Sequence, residues 1–355
     1  MGNKISIVVP TRNRSALLRS TLRSIDVQTW GDRETIVVDE ASTDDTATML
    51  ASEFPDVKVI HHDAARGQSG ARNAGIAAAG GDWVFFLDDD DLVPPRHLAE
   101  LLHEALVAPP GCLVSGRMRD FAIVSGEVVL APVICTPADR PDGEAVIELI
   151  DPYSQRTLAH STILWPRQLF DTLRWDEELA FNEDYDLLGR AILAGNHILG
   201  REAGLYCVRM HTGPRVTTGT SVRRKLAPAR YWLKWSGLLQ ARPEYRACTA
   251  AMRNALMVLL IDYSGVPEAN EFMPLLLAAF RAWGGDRFYL THPPRHWLKR
   301  SITQAVLGLG GPSALRRFFA VRAKLRRRVD AYESNFQPAA TDADKADAAF
   351  IRTYG

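Results

Sequence analysis

Four short apolar runs occupy residues 5–9, 35–38, 57–60 and 83–87 of the chain. Each run is a continuous stretch rich in Val, Ile or Phe, without the alternation of polar and apolar residues that marks a strand with one wet face. A continuous run predicts a strand that is buried on both faces of a parallel sheet. The four runs therefore predict a parallel sheet near the start of the chain.

Helical patterns separate these runs. Apolar residues recur at helical spacing after Ser15, which we predict to cap that helix: Leu18, Leu22 and Ile25. Residues 42–45 resemble an acidic capping box, and Pro94 is predicted to begin a helix that continues through Leu106. Strands that alternate with helices predict an open α/β sheet, whose ligands bind at the carboxyl ends of the strands.

The pattern changes further along the chain, whose 355 residues exceed the usual size of one domain. A strand is predicted through Met118, followed by a hairpin of residues 121–124 and 128–130. Beyond a boundary placed near residue 220 the chain is predicted to be helical, and the acidic tail 337–347 is predicted to be mobile.

Charge and cysteine content exclude several classes of protein. Lys and Arg together number 42, as do Asp and Glu, so no general attraction to nucleic acid is expected. The four cysteines form no CxxC pair, which argues against a zinc knuckle or a disulfide framework and fits a reducing cytoplasm. We expect neither a signal peptide nor a membrane span, because the apolar runs are too short.

Four consecutive aspartates, Asp88 to Asp91, directly follow the fourth apolar run. Like charges repel, and a divalent cation relieves the repulsion because carboxylate oxygens are hard ligands. Side chains two apart in a strand share a face, so Asp88 and Asp90 are expected to converge on a metal that also binds diphosphate oxygens. The alternative is a solvated acidic loop that precedes a helix.

Asp39 and Glu40 follow the second apolar run. A carboxylate at this position can accept a hydrogen bond from a nucleobase N–H or a ribose hydroxyl. Capping of the next helix would explain Ser42 and Asp45, but it leaves Asp39 and Glu40 without a function.

A glycine-containing turn from Gly67 to Gly70 leads into a helix start that carries Arg72. The arginine is a candidate contact for an anion or a sugar. Gly75 is predicted to permit close packing of that helix.

An acidic motif spans residues 182–186 and precedes an amphipathic stretch. An acid here could take the proton from an acceptor hydroxyl. The alternative is an ordinary charged helix start.

The order of these motifs resembles the family 2 glycosyltransferases of GT-A fold. The resemblance covers roughly residues 4–212 and rests on five motifs: VVPTRNR at 8–14, VVDEASTD at 37–44, ARNAG at 71–75, FLDDDD at 86–91 and ED at 183–184. It implies an α/β, Rossmann-like, mostly parallel sheet flanked by helices, to which the helical region predicted from the sequence at 221–355 is appended. Residues 1–220 would form the catalytic domain, with a donor half at 1–110 and an acceptor half at 111–220.

The resemblance also implies inverting transfer from a nucleotide diphosphate sugar, with UDP-sugars favoured, to a glycan, lipid-linked or other hydroxyl acceptor in cell-surface polysaccharide or glycoconjugate synthesis. Its implied donor-binding residues are Pro10, Thr11, Arg12, Arg14, Asp39, Glu40, Arg72, Asn73, Asp88 and Asp89. Asp184 would be the general base, and Asp90, Asp88 and His211 would hold Mn²⁺ or Mg²⁺. The family usually has Asp-Asp-Gly-Ser where this chain has Asp39-Glu40-Ala41-Ser42, so the longer Glu40 must reach differently.

Three other functions are less consistent with the sequence. A phosphatase with a DxD motif would use its first aspartate as nucleophile, but here the motif follows the fourth run and Asp39 would have no function. A nicotinamide dehydrogenase is disfavoured because no GxGxxG follows the first run. A non-catalytic nucleotide-sugar binding module would be expected to have lost Asp184 or the DxD motif, and both are present.

Residues 314–329 combine arginines with apolar residues at helical spacing. This pattern is typical of a basic amphipathic helix that docks on anionic lipid, which would place a cytoplasmic protein at the inner face of the membrane. The alternative is a helix that packs its apolar side on the catalytic domain. The donor sugar and the acceptor are set by pocket shape and have no transferable motif.

Overall fold

The parallel sheet is present in the computed structural model, which describes residues 2–135, 142–151, 158–210, 222–263, 266–285 and 341–355. Its five strands have the order β3-β2-β1-β4-β8. They are β1 (Ile5–Thr11), β2 (Arg33–Glu40), β3 (Lys58–His62), β4 (Trp83–Phe86) and β8 (Trp165–Pro166). The first four are parallel and β8 is antiparallel, which confirms the predicted α/β class.

One strand departs from the prediction that all four runs are buried on both faces. Lys58 and Val59 of β3 are exposed, because β3 lies at the edge of the sheet and pairs only with β2 among the described strands. An edge strand needs fewer buried side chains than a central one.

The connecting helices are α1 (Ser15–Asp26), α2 (Thr46–Glu53), α3 (Gly67–Ala78) and α4 (His97–Val107). A Cβ atom on Gly75 would lie 2.3 Å from Val8 Cγ1, so glycine allows α3 to pack closely on β1, as predicted. The predicted caps at Ser15 and residues 42–45 are wrong, because neither α1 nor α2 has a side-chain cap bond. Instead, Asp44 accepts the backbone N–H groups of Ser15 and Thr46, each at 3.1 Å, and joins the two helix starts.

A second sheet lies downstream. The predicted hairpin is present: β5 (Cys112–Val124) and β6 (Glu127–Leu130) are joined by Ser125 and Gly126, with φ values of 52° and 82°. The strand predicted through Met118 is the first part of the same long β5. The short strand β7 (Ile134–Cys135) pairs antiparallel with β5, and β9 (His197–Arg209) pairs parallel with it.

Within the described residues, five more α-helices pack mainly on one another, and the helical C-terminal region is present. They are α5 (Asp142–Ile150), α6 (Glu183–Leu193), α7 (Val222–Gln240), α8 (Thr249–Asp262) and α9 (Phe272–Ala282). Their apolar residues form one continuous core with Val8, Val84 and Phe86 of the sheet. In the part of the chain that the structure describes, no helix is both long and apolar enough to cross a bilayer.

The prediction of a mobile tail at 337–347 is wrong for the last residues of that segment, because Asp342–Tyr354 form helix α10. Thr341 and Asp344 make a reciprocal capping box at its start. Ala348 and Ile351 are buried in a cluster with residues of β5, β6 and β9. The basic segment 314–329 and His211 lie outside the described residues.

Arg119 of β5 anchors α10. Its Nη1 donates to Asp347 Oδ2 and its Nη2 to Asp344 Oδ1, both at 2.6 Å, and the arginine is almost fully buried. We expect Arg119→Met to speed amide hydrogen exchange in α10 by at least about tenfold, the change that corresponds to losing one buried charge-assisted bond.

The matched control is Arg352→Met, which removes an exposed ion pair between α10 and Glu127. Surface pairs contribute little, so exchange should hardly change. Equal loosening by both variants would show that Arg119 does not anchor the helix.

Candidate functional site

The carboxyl ends of β1, β2 and β4 meet at one edge of the first sheet, where most predicted site residues lie. Thr11 Oγ1 donates to Asp89 Oδ2 at 2.7 Å, which joins the end of β1 to the aspartate run. Arg14 Nη1 donates to Asp89 Oδ1 at 2.9 Å and to Asp90 Oδ2 at 3.0 Å. Pro10 is buried and Arg12 is exposed at the same edge.

The aspartate run is a turn and not the end of a strand. β4 ends at Phe86, and Asp91 N donates to Asp88 O at 3.2 Å. Strand alternation is therefore the wrong reason for pairing Asp88 with Asp90. The turn nevertheless leaves their side chains more accessible, at 31% and 15% exposed, than that of Asp89 at 7%.

The protein itself supplies partners for the four carboxylates. They are Arg72 for Asp88 at 2.7 Å, Thr11 and Arg14 for Asp89, Arg14 for Asp90, and the backbone N–H of Arg209 for Asp91 at 2.8 Å. The sequence argument that repulsion within the run requires a cation is therefore wrong, because arginines already compensate much of the charge. The metal site itself stays a prediction.

Burial and these partners set the protonation of the turn. Burial raises the pKa of Asp89 to about 6, although Arg14 acts against the rise. Burial and the charges of Asp90 and Asp88 raise the pKa of Asp91 well above its usual value. Burial also opposes ionisation of Asp88, but Arg72 and His160 together outweigh it and the pKa of Asp88 is lowered. The accessible Asp88 is therefore ionised at neutral pH.

The acidic motif begins α6, after Asn182 in a left-handed conformation with φ 51°. The Asp184 side chain is 32% exposed and that of Glu183 is 16% exposed. Asp186 is fully buried and pairs with Arg190 and Lys234, each at 2.7 Å. Of the three acids, Asp184 is the most accessible and Asp186 has a structural function.

Asp184 faces a histidine that the sequence motifs did not reveal. His160 Nδ1 lies 3.7 Å from Asp184 Oδ2, a distance too long for a hydrogen bond. Burial opposes ionisation of Asp184, but His160 and more weakly Arg72 outweigh it, so the pKa of Asp184 is lowered. Its carboxylate is therefore ionised and able to accept a proton.

Arg72 connects the aspartate turn with the acidic motif. Its Nη2 contacts Asp88 at 2.7 Å, its Nη1 lies 3.8 Å from Glu183 Oε1, and its guanidinium carbon lies 4.5 Å from the centre of the Trp175 ring. Burial would lower the pKa of Arg72, but Asp88 and Glu183 outweigh it and the pKa is raised. The structure thus brings the aspartate turn and the acidic motif together around one buried arginine.

Two predicted donor-binding residues hold the surrounding structure. Asn73 Oδ1 accepts the N–H of Trp175 at 3.0 Å, and its Nδ2 donates to Trp175 O at 2.9 Å. Glu40 Oε2 accepts the backbone N–H groups of Arg66 and Gly67, each at 2.6 Å, at the start of α3. The longer side chain of Glu40 thus reaches a helix start, while a donor contact by either residue stays a prediction.

Arg209, which no motif singled out, links the turn to the end of the chain. Its Nε donates to Asp90 O at 2.9 Å and its Nη1 to Gly355 O at 3.1 Å. Helix α10 is therefore connected through one side chain to the backbone of the aspartate turn.

The described residues contain no group of three or more His, Cys, Asp and Glu side chains placed to bind a metal. Asp88 and Asp90 nevertheless fit two positions of a Mn²⁺ or Mg²⁺ ion, because both keep accessible carboxylate oxygens on one turn. A diphosphate and water would have to fill the other positions.

Sequence comparisons identify related proteins. Residues 6–126 match the family model described as Glycosyl transferase family 2. The succinoglycan biosynthesis protein ExoO of Rhizobium meliloti is 28% identical over 59% of this chain and 61% of its own length. A PGL/p-HBAD biosynthesis glycosyltransferase of Mycobacterium bovis is 30% identical over 47% of this chain and 61% of its own. The matches thus span about three fifths of these relatives.

Solved structures share the fold. Crystal structures of S. aureus TarS 1-349, alone and in complex with UDP-GlcNAc, have TM-scores of 0.56 and 0.55. Their sequence identities are 17% and 18%, and each alignment covers 96% of this chain and 97% of the other. The family match over residues 6–126 and the shared fold confirm the predicted resemblance to family 2 glycosyltransferases and the GT-A fold.

Proposed function

We propose that the chain is a metal-dependent, inverting glycosyltransferase that moves a sugar from a nucleotide diphosphate donor to a hydroxyl acceptor. The observation that carries the proposal is the cluster in which Arg72 joins Asp88 to Glu183 and the accessible Asp184. A site for a diphosphate donor and a base for an acceptor lie on two sides of one arginine.

The comparisons support the substrate class. The names of the relatives place them in succinoglycan and PGL/p-HBAD biosynthesis, and TarS was crystallised with UDP-GlcNAc. We therefore favour a UDP-sugar donor and a glycan or lipid-linked acceptor in cell-surface polysaccharide or glycoconjugate synthesis. A cytoplasmic location, with membrane contact through residues 314–329, belongs to the same proposal.

The mechanism follows from the positions of the side chains. The nucleoside would lie along Thr11 and Asp39, and the diphosphate along Arg14, Asp88 and Asp90. Bound there, Mn²⁺ or Mg²⁺ would supply charge neutralisation for the leaving nucleoside diphosphate. Asp184 takes the proton of the acceptor hydroxyl, whose oxygen bonds to the anomeric carbon opposite the breaking bond to the diphosphate. This single displacement inverts the anomeric configuration.

A donor screen tests the proposal. Purified protein is incubated with Mn²⁺ or Mg²⁺, a panel of nucleotide sugars and candidate acceptors, and nucleoside diphosphate release is measured. We expect release from one preferred donor, dependent on acceptor and abolished by EDTA. Release of inorganic phosphate would favour the phosphatase, and donor binding without any turnover would favour the non-catalytic module.

A further inference from the structure

His160 is a buried histidine whose ring lacks a hydrogen bond within the part of the chain that the structure describes. The residue is only 6% exposed, and neither Nδ1 nor Nε2 has a partner there. Burying a polar group without a hydrogen bond costs free energy, so most such groups in folded proteins are paired. An unpaired imidazole in the wall of a proposed catalytic site is therefore ready to bond to a group that moves or binds during the reaction.

Aromatic neighbours fix the orientation of the His160 ring. It stands edge-to-face against Trp175, with ring centres 5.2 Å apart and an interplanar angle of 87°, and its centre lies 6.2 Å from that of Phe86. The backbone of His160 lies in a short 3-10 helix, and its carbonyl oxygen accepts Trp165 Nε1–H at 3.1 Å. Ring and backbone are both held, so Nδ1 keeps its position near Asp184.

Nδ1 of His160 lies near enough to Asp184 to bond to it after a small movement. The 3.7 Å between Nδ1 and Asp184 Oδ2 is about 0.7 Å more than an ordinary N–H···O hydrogen bond. The Asp184 side chain is 32% exposed and so has room to turn. Hydrogen bonds of catalytic groups are often long without substrate and shorten when it binds. Rotation of the Asp184 carboxylate would close the gap.

Arg72 is the other cation near Asp184, but it is paired elsewhere. Its Nη2 contacts Asp88 at 2.7 Å, and its Nη1 lies 3.8 Å from Glu183 Oε1. His160, whose ring has no other partner among the described residues, is therefore the side chain placed to bond to Asp184.

A hydrogen bond between His160 and Asp184 would orient the base. An ionised carboxylate can only accept, so Nδ1 of the imidazole is the donor. The bond would hold Oδ2 and leave Oδ1 for the acceptor hydroxyl. The terminal torsion of a carboxylate is otherwise soft, and a base works only within hydrogen-bond reach of the proton that it takes. Holding one oxygen therefore places the other.

We propose that His160 is a positioning residue for the base, whose Nδ1–H donates to Asp184 Oδ2 when the acceptor binds and so turns Oδ1 toward the acceptor hydroxyl. In the step that follows, the hydroxyl proton moves to Oδ1, the hydroxyl oxygen bonds to the anomeric carbon, and the bond from that carbon to the diphosphate breaks. This inference rests on the proposed function and adds to it a residue that lies outside the five motifs.

Two amide substitutions separate the hydrogen bond from packing. In His160→Asn the amide nitrogen is one bond from Cγ, as Nδ1 is, so it can donate to Asp184 from the same place. In His160→Gln the amide nitrogen lies one bond further out, near the position of Nε2. His160→Phe keeps a ring against Trp175 and removes both nitrogens.

The measurement is steady-state kinetics with the donor, acceptor and metal that support turnover by wild type, together with calorimetry of the nucleoside diphosphate of that donor. We expect His160→Phe and His160→Gln to lower kcat about tenfold or more, as loss of a hydrogen bond to a charged group implies, and His160→Asn to recover most of the rate. The KM for the donor and the affinity for the nucleoside diphosphate should change little, because Asp184 is proposed to act only on the acceptor.

The matched control is His97→Phe. His97 is also buried, and its ring centre lies 4.9 Å from that of Phe85. Phe85 and Phe86 are neighbours in β4, whose successive side chains point to opposite faces, so His97 lies on the other side of the sheet from His160. The same substitution there should leave kcat near the wild-type value. Melting temperatures establish that each variant is folded.

A double variant tests whether His160 acts through the base. In the Asp184→Asn background, His160→Phe should have little further effect, because the carboxylate that it positions is gone. Equal losses in both backgrounds would overturn the inference, as would a wild-type rate in His160→Phe or equal losses in His160→Asn and His160→Gln. If His160→Phe did not fold, the comparison of the two amides would decide. Each of these results leaves the proposed function standing when wild type turns over a donor, whereas absence of turnover by wild type would overturn the proposed function itself.

Discussion

Asp184→Asn is expected to lower kcat about 100-fold or more while changing the affinity for nucleoside diphosphate little. The amide keeps the size of the carboxylate but cannot accept the proton of the acceptor hydroxyl. Because Asp184 is predicted to act only on the acceptor, the donor site should be intact. The measurement is steady-state kinetics at saturating donor, with calorimetry of the nucleoside diphosphate for comparison.

The control for this prediction is Glu183→Gln, the same chemical change one residue earlier. Glu183 is less accessible, and burial and the charge of Asp184 raise its pKa. We expect its kcat to fall much less. If Glu183→Gln lost the rate and Asp184→Asn transferred sugar near the wild-type rate, Glu183 would be the base and our assignment would be wrong. Asp186 is a poor candidate because it is fully buried between Arg190 and Lys234.

How well the sequence predicted each element depended on how local its signal was. The strands β1, β2 and β4 could be predicted because a strand that is buried on both faces requires a continuous apolar run in its sequence. β3 gave a similar run, but its exposure depends on its edge position, which only the strand order determines. The predicted mobile tail 337–347 includes the first part of helix α10, because its residues are polar and small and its partner Arg119 is 225 residues away from Asp344.

The site shows the same division. Asp88, Asp90 and Asp184 lie in compact motifs, and the structure leaves their carboxylates partly accessible, while their functions stay predictions. His160 lies in a segment without a motif, and its relation to Asp184 appears only once the strands and helices are packed. The motifs also did not reveal that arginines compensate the charge of the aspartate run, because those contacts form only once the strands and helices are packed.

The compensation by arginine makes Asp90 the most direct test of metal dependence. Its carboxylate is partly exposed and shares Arg14 with Asp89, whose contact at 2.9 Å remains when Asp90 is changed. Replacement therefore opens no core cavity and leaves the arginine paired. If Asp90 binds the cation that neutralises the leaving diphosphate, its loss removes several kcal/mol of transition-state stabilisation.

We therefore expect Asp90→Asn and Asp90→Ala to lower metal-dependent donor turnover by at least about 100-fold, with an unchanged melting temperature. Turnover is measured over a titration of Mn²⁺ and Mg²⁺. The control is Asp56→Asn, which changes an exposed residue on the surface. That variant should match wild type at every metal concentration. Wild-type turnover by Asp90→Asn at saturating metal would show that Asp90 is not a ligand. A partial loss that is restored by raising the metal concentration would instead support the assignment, because a weakened site fills when more cation is supplied.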